Sequence, residues 1–242
     1  MNQNNINIKI KKYLPFVLNI LIFISAFLGF LLSCIFAVRD GYSHWSKRLL
    51  YFTQQSNIWI GITSLIFFIF LLRKNISKKC IKILTILKYI FTVSITITGF
   101  IFCTVLAPFA EFDIWTLATT LTHVVAPILS ILDFMTNQYL VEFENKYIHL
   151  SIIPPLIYFI FATILCLQKV DFGRGDPFPY FFMDFNSEVG LFGFNGNWPP
   201  QFGSVYWFIF FIFFIYLLSI IYYKLLKLLV KKNNKEKQKN LE

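Results

Sequence analysis

Six stretches of this chain are each long and apolar enough to cross a bilayer, and that constrains the fold more than any other feature. A helix rises about 1.5 Å per residue, so about 20 apolar residues cover the hydrocarbon core. The qualifying runs are Leu14–Val38, Phe52–Leu72, Ile83–Pro108, Ile114–Met135, His149–Leu167 and Val205–Leu229. Some read locally like strands, above all Thr92-Val-Ser-Ile-Thr-Ile-Thr98. The surrounding run is far longer than a strand, and an open sheet in lipid leaves its edge amides without partners. Composition agrees: 57% of the residues are hydrophobic and only 14% charged, against about a quarter charged in soluble domains. The expected fold is an all-α integral membrane protein with six transmembrane helices.

Lys9, Lys11 and Lys12 ahead of the first run, with Leu32-Ser-Cys34 inside it, have the outline of a cleaved leader. The run is too long for a signal core and continues past Cys34, so it is expected to stay as a membrane anchor. Lys and Arg then assign the sides. The loops after spans one, three and five hold only Arg39, Lys47, Arg48, Lys169 and Arg174 of the 22 basic residues. The rest gather at the N-terminus, in the other loops and at the C-terminal end. Both termini are therefore expected to be cytoplasmic, in a multi-pass protein of the cell membrane.

This divides the chain into a cytoplasmic N-terminus at 1–13, a six-helix domain at 14–229 and a basic cytoplasmic tail at 230–242. The tail is expected to be disordered and to lie against anionic lipid. An outer loop at 168–204 is rich in Pro and aromatics. With Pro177, Pro179, Trp198, Pro199 and Pro200 it is not one regular element, and an outer cap or partly re-entrant loop is expected. The net charge of +10 sits at helix ends and in the tail, which points to the lipid bilayer as partner and away from nucleic acid. Cys34, Cys80, Cys103 and Cys166 lack paired spacing and are read as reduced core residues, with no metal and no cofactor expected.

Polar residues inside the spans carry the chemistry, since burying them is costly unless they are paired. Span two opens with Phe52-Thr-Gln-Gln-Ser-Asn57, in which Thr53 and Asn57 share a helix face. Read plainly, this is a polar helix start. Span four holds Thr119, Thr120, Thr122 and His123, followed by Pro127. Pro127 has no amide for the carbonyl of residue 123, so a kink is expected there. The plainer reading of His123 is a packed ring bonded to Thr119. Asp133 lies about three turns beyond His123, too far to orient it, and is expected to pair near the cytoplasmic face or to bind a helix end. Thr92, Thr96, Gly99 and Cys103 form a small-residue stripe of the kind that packs helices closely.

From Ile114, His123 is roughly 13 Å into its span, which places it in the same leaflet as Thr53. A threonine hydroxyl becomes a nucleophile when a neutral imidazole takes its proton. Thr53 and His123 are thus the candidate catalytic pair for acyl transfer. Ser56, Asn57 and Thr119 are the candidate substrate-binding residues. Gln54, Gln55, Ser56 and Asn57 are the available oxyanion donors.

Six spans, Thr53 in its polar motif, Thr122-His-Val-Val-Ala-Pro127 and Asp176-Pro-Phe-Pro-Tyr180 together resemble the androgen-induced membrane hydrolases and their bacterial relatives. The resemblance covers most of the chain. It implies a six-helix fold with cytoplasmic termini and hydrolysis of a lipid-like ester, with Thr53 and His123 in the catalytic roles. Gln54 and Gln55 depart from the apolar surroundings expected after the threonine. Two other functions compete with a hydrolase. One is a transporter or lipid- or solute-binding membrane protein; the other is a structural protein in which these residues join helices. Charge placed at span ends rather than mid-span disfavours an ion-coupled transporter.

Overall fold

A computed structural model describes residues 3–73, 77–110, 114–136, 141–142, 144–196 and 201–239. Trp198, Pro199 and Pro200 lie outside the described residues. Six helices dominate: α1 (Gln3–Ile35), α2 (Phe52–Leu71), α3 (Lys78–Leu106), α4 (Leu117–Thr136), α5 (Asn145–Leu167) and α6 (Ser204–Lys239). All six contain windows long and apolar enough to cross a membrane. Every expected span falls on one of them. The differences are at the ends, where α1 stops at Ile35 and α4 starts only at Leu117. The basic segment after Leu229 corrects an expectation: it continues α6 as regular helix to Lys239 rather than trailing as a disordered tail.

Their exposed faces show what surrounds these helices. On α1, Val17, Leu21, Ile24, Leu28, Leu31 and Ile35 form one stripe at helical spacing, each at least 41% exposed. On α6, Ile209, Phe213, Leu217, Ile221 and Leu228 do the same. A water-soluble surface does not sustain apolar stripes of this length, and lipid tails are the medium that suits them. The chain is a polytopic membrane protein.

The bundle is built around α3. Of its apolar window 61% is buried, against 17% for α6, so α3 is the axis and α6 lies at the edge. One face of α3 packs Tyr89, Val93 and Ile97 against Phe134 of α4 and Tyr222 and Leu226 of α6. The other brings Ile95 to Ile22 and Ala26 of α1, Ile60 of α2 and Ala126 of α4. Small residues make this close approach feasible, as lipid-embedded helices require.

A cap covers one end of the bundle. It consists of the α1–α2 connection, with a 3-10 turn at Trp45–Leu50, and the long α5–α6 connection. The long connection is packed: Phe172, Phe178 and Met183 bury against Phe52 of α2 and Tyr158 of α5. Asp171 ties it together, accepting from the amides of Gly173 (2.6 Å) and Gly175 (2.9 Å) and from the Ser43 hydroxyl (3.2 Å). The Gly173 amide above all, with Gly175, Ser43 and Lys47 adding to it, holds its carboxyl below the usual range against the opposing effect of burial. A short antiparallel hairpin, β1 (Phe194–Asn195) and β2 (Gln201–Phe202), leads into α6. Asp176 and Asp184 accept from the amides of Phe178 and Asn186, so these loop carboxylates serve turns.

Candidate functional site

Tyr51 leaves the 3-10 turn in extended backbone and serves as N-cap of α2, which places Thr53 in the first helical turn beneath the cap. Thr53 is buried there. Facing it, α4 widens into a π turn at Leu121–Val125, and the Ala126 amide bonds back to the Leu121 carbonyl. This is the physical form of the expected kink: Pro127 cannot serve the His123 carbonyl, and the helix absorbs the missing bond by widening. The His123 carbonyl then meets Gly99 of α3. A Cβ at Gly99 would stand 2.8 Å from that oxygen and 3.0 Å from Pro127, so only glycine lets α3 close on the bulge.

The two helices bring Thr53 Oγ1 to 3.3 Å from His123 Nε2. His123 Nδ1 lies 3.0 Å from the Thr119 carbonyl and 3.0 Å from Thr122 Oγ1. A carbonyl only accepts, so Nδ1 carries the hydrogen. Thr122 donates its own proton to the Ala118 carbonyl at 2.9 Å, and toward the ring it too accepts. In a neutral imidazole this leaves Nε2 bare, ready to accept from the Thr53 hydroxyl. Phe102 stacks on the ring with 3.8 Å between centroids and fixes its plane. The plainer reading and the functional one thus meet here: His123 is bonded to Thr119, through the backbone, and also to Thr53.

Asn57 joins the two helices. Its Nδ2 donates to the Thr53 carbonyl at 2.8 Å and to the Thr122 carbonyl at 3.1 Å. Ser56 donates to the Thr53 carbonyl and shares a 2.8 Å hydrogen bond with Thr98 of α3. Gln54 reaches Ser33 of α1, and Gln55 folds back onto the Leu49 carbonyl. Thr119 uses its hydroxyl in a capping box with Thr116 at the start of α4.

An apolar cavity of about 90 Å³ lies beside this cluster, between α2, α3, α5 and α6 beneath the cap. Phe52, Thr53, Ile97, Thr98, Ile101, Tyr158, Phe159, Tyr180, Met183, Phe208 and Phe211 are among its lining. Ser56, Asn57 and Thr119 stand behind the wall, as does His123. Thr53 alone of the pair touches the cavity, with the imidazole at its back. Tyr180, from the cap, completes the polar corner. Burial pushes its phenol up to about 12, while the Thr53 hydroxyl and amide and the Tyr158 hydroxyl draw it down.

A second polar cluster lies deeper in the bundle; Asp133 is paired, as the sequence reading expected, but its partners Lys88 and Asn19 were missed. Lys88 Nζ of α3 pairs with Asp133 Oδ2 of α4 at 2.8 Å, both side chains 1% exposed. Lys88 also donates to Ser64 of α2 at 2.8 Å, and Asn19 of α1 donates to Asp133 Oδ1 at 2.7 Å. Charge is therefore present inside the spans, which overturns the expectation that it sits only at their ends. Lys88 was legible as a lysine well inside the third apolar run. Cys103, read as a core residue, is exposed toward lipid, and all four thiols are free. Among the described residues no group of three or more His, Cys, Asp or Glu is arranged to hold a metal.

Compared with known protein families, curated proteins and solved structures, the chain matches no family model, no curated protein and no solved structure.

Proposed function

We propose that this chain is a membrane-embedded hydrolase of lipid-like esters, with Thr53 as nucleophile and His123 as general base. The observation that carries this reading is the Thr53–His123 hydrogen bond at the wall of an apolar cavity, with the ring's other nitrogen held by a carbonyl. Thr53 Oγ1 attacks the ester carbonyl as its proton passes to His123 Nε2. The tetrahedral intermediate collapses, the carbon–oxygen bond to the alcohol breaks, and the departing alkoxide takes that proton. Water then hydrolyses the acyl-threonine by the same route, returning the acid and the free hydroxyl. A narrow apolar cavity suits an acyl chain. With the basic residues assigning both termini to the cytoplasm, the site lies in the outer half of the cell membrane.

The competing reading is a lipid-binding or transport protein that holds the same ligand without chemistry. Detergent-purified protein treated with a fluorophosphonate probe and with p-nitrophenyl laurate separates the two. Labelling and turnover are expected in the wild type. Thr53→Ala is expected to remove both, and His123→Ala to slow turnover by about a hundredfold or more. Wild-type turnover no faster than that of Thr53→Ala would refute the hydrolase and leave ligand binding.

A further inference from the structure

The first turn of α2 is buried and lacks a side-chain cap, because a tyrosine stands where Ser, Thr, Asp or Asn ordinarily serve. The amides of Gln54 and Gln55 fold back to the Tyr51 carbonyl. Those of Phe52 and Thr53 make no backbone hydrogen bond among the described residues. Beside them stand two phenol oxygens, Tyr158 at the Phe52 amide and Tyr180 at the Thr53 amide, in place of the backbone or capping acceptor that a buried helix start ordinarily has. Its positive dipole end favours an acceptor that carries negative charge.

Tyr158 supplies an independent sign that the acceptor is a ligand. It is 6% exposed, lines the cavity, and its hydroxyl oxygen is buried without a hydrogen-bond partner. That oxygen lies beside the Phe52 amide and the Tyr180 hydroxyl yet completes a bond with neither. Leaving a buried hydroxyl unpaired is costly, so its persistence in an otherwise apolar wall needs an occupant. The Phe52 amide adjoins this hydroxyl and the Thr53 amide adjoins the Tyr180 hydroxyl, all on residues that line the cavity.

We infer that the first turn of α2 and Tyr158 form the binding site for the carbonyl oxygen of an acyl group, with the acyl chain in the apolar cavity. In its catalytic part this rests on the hydrolase reading. As Thr53 attacks, the carbonyl's π pair moves onto this oxygen, and the two amides and the Tyr158 hydroxyl donate to the charge that develops. Thr53 would then supply both the attacking hydroxyl and one oxyanion donor. Gln54 and Gln55, with their side chains turned to Ser33 and Leu49, take no part.

Tyr158→Phe tests the inference, since it removes the hydroxyl and keeps the ring. It is expected to melt no lower than the wild type, because no hydrogen bond is lost. With p-nitrophenyl laurate it is expected to lower kcat about tenfold to a hundredfold and to change KM by less than about threefold. Wild-type kcat in this variant, with Thr53→Ala still inactive and His123→Ala still slowed, would overturn the inference and leave the hydrolase intact. If the wild type proves inactive, titration of laurate into the protein in nanodiscs decides. Weaker laurate binding by Tyr158→Phe, with dodecane binding unchanged, supports an acyl-oxygen site, and equal laurate affinity overturns it.

Discussion

Replacing Lys88 by Met isolates the energetics of the deep ion pair. At 2.8 Å the two charges attract by about 6 kcal/mol at an effective dielectric of about 20. Desolvating each ion costs several kcal/mol, so the intact pair contributes little net stability. Removing one partner is different, because Asp133 is then left without its counter-ion, 1% exposed, and among the described residues bonded only through Asn19. A loss of about 3–5 kcal/mol is expected, toward the lower end because a membrane-embedded unfolded state also finds polar partners. Asp133→Leu is expected to cost a similar amount by stranding Lys88 beside Ser64. The double variant Lys88→Met/Asp133→Leu is expected to return to within about 1 kcal/mol of the wild type. Equilibrium unfolding in mixed micelles measures all four proteins. Two single losses below about 1 kcal/mol that simply add would refute the reasoning. Because Lys88 lies about 15 Å along α3 from Thr98, turnover per folded molecule is expected to stay unchanged in the double variant.

Gly99→Ala is expected to destabilise the protein by about 1–3 kcal/mol and to impair the site. Its Cβ meets the His123 backbone oxygen, whereas that of Gly61→Ala meets side chains, the Phe27 ring and the Ala26 methyl, and is expected to be milder; thermal melting of both variants checks the contrast. Asp171 has a folded pKa below its unfolded value, so its contribution to cap stability is present at neutral pH. That contribution is lost only as pH falls through the depressed folded value. Cleavage in the cap is therefore expected to rise only below the ordinary carboxylate range, where pepsin reads it, and Asp171→Asn is expected to be cleaved readily by trypsin at pH 7.

Which features were readable in advance follows from what each depends on. The six helices depend on apolar runs long enough to cross a bilayer, a property of the chain read in order, and they were legible to within a few residues. Thr53 and His123 stood out because polar groups are scarce in such runs, and counting residues from the span ends put them at one depth. The π turn was only half legible: Pro127 announced a disturbed bond, but how the helix absorbs it depends on Gly99 of a different span. The helical course of the tail to Lys239 was missed because a lysine-rich segment reads alike as solvated helix or as coil. Asn57 was read as a pocket residue because side-chain chemistry shows a donor without showing its target, and both its targets are backbone carbonyls on two helices. Tyr158 was the least legible. It is one of 12 tyrosines in a chain that is 20% aromatic, and nothing in its neighbours sets it apart. What distinguishes it is a partner it lacks, and a missing partner exists only once α2, α5 and the cap have been brought together around it.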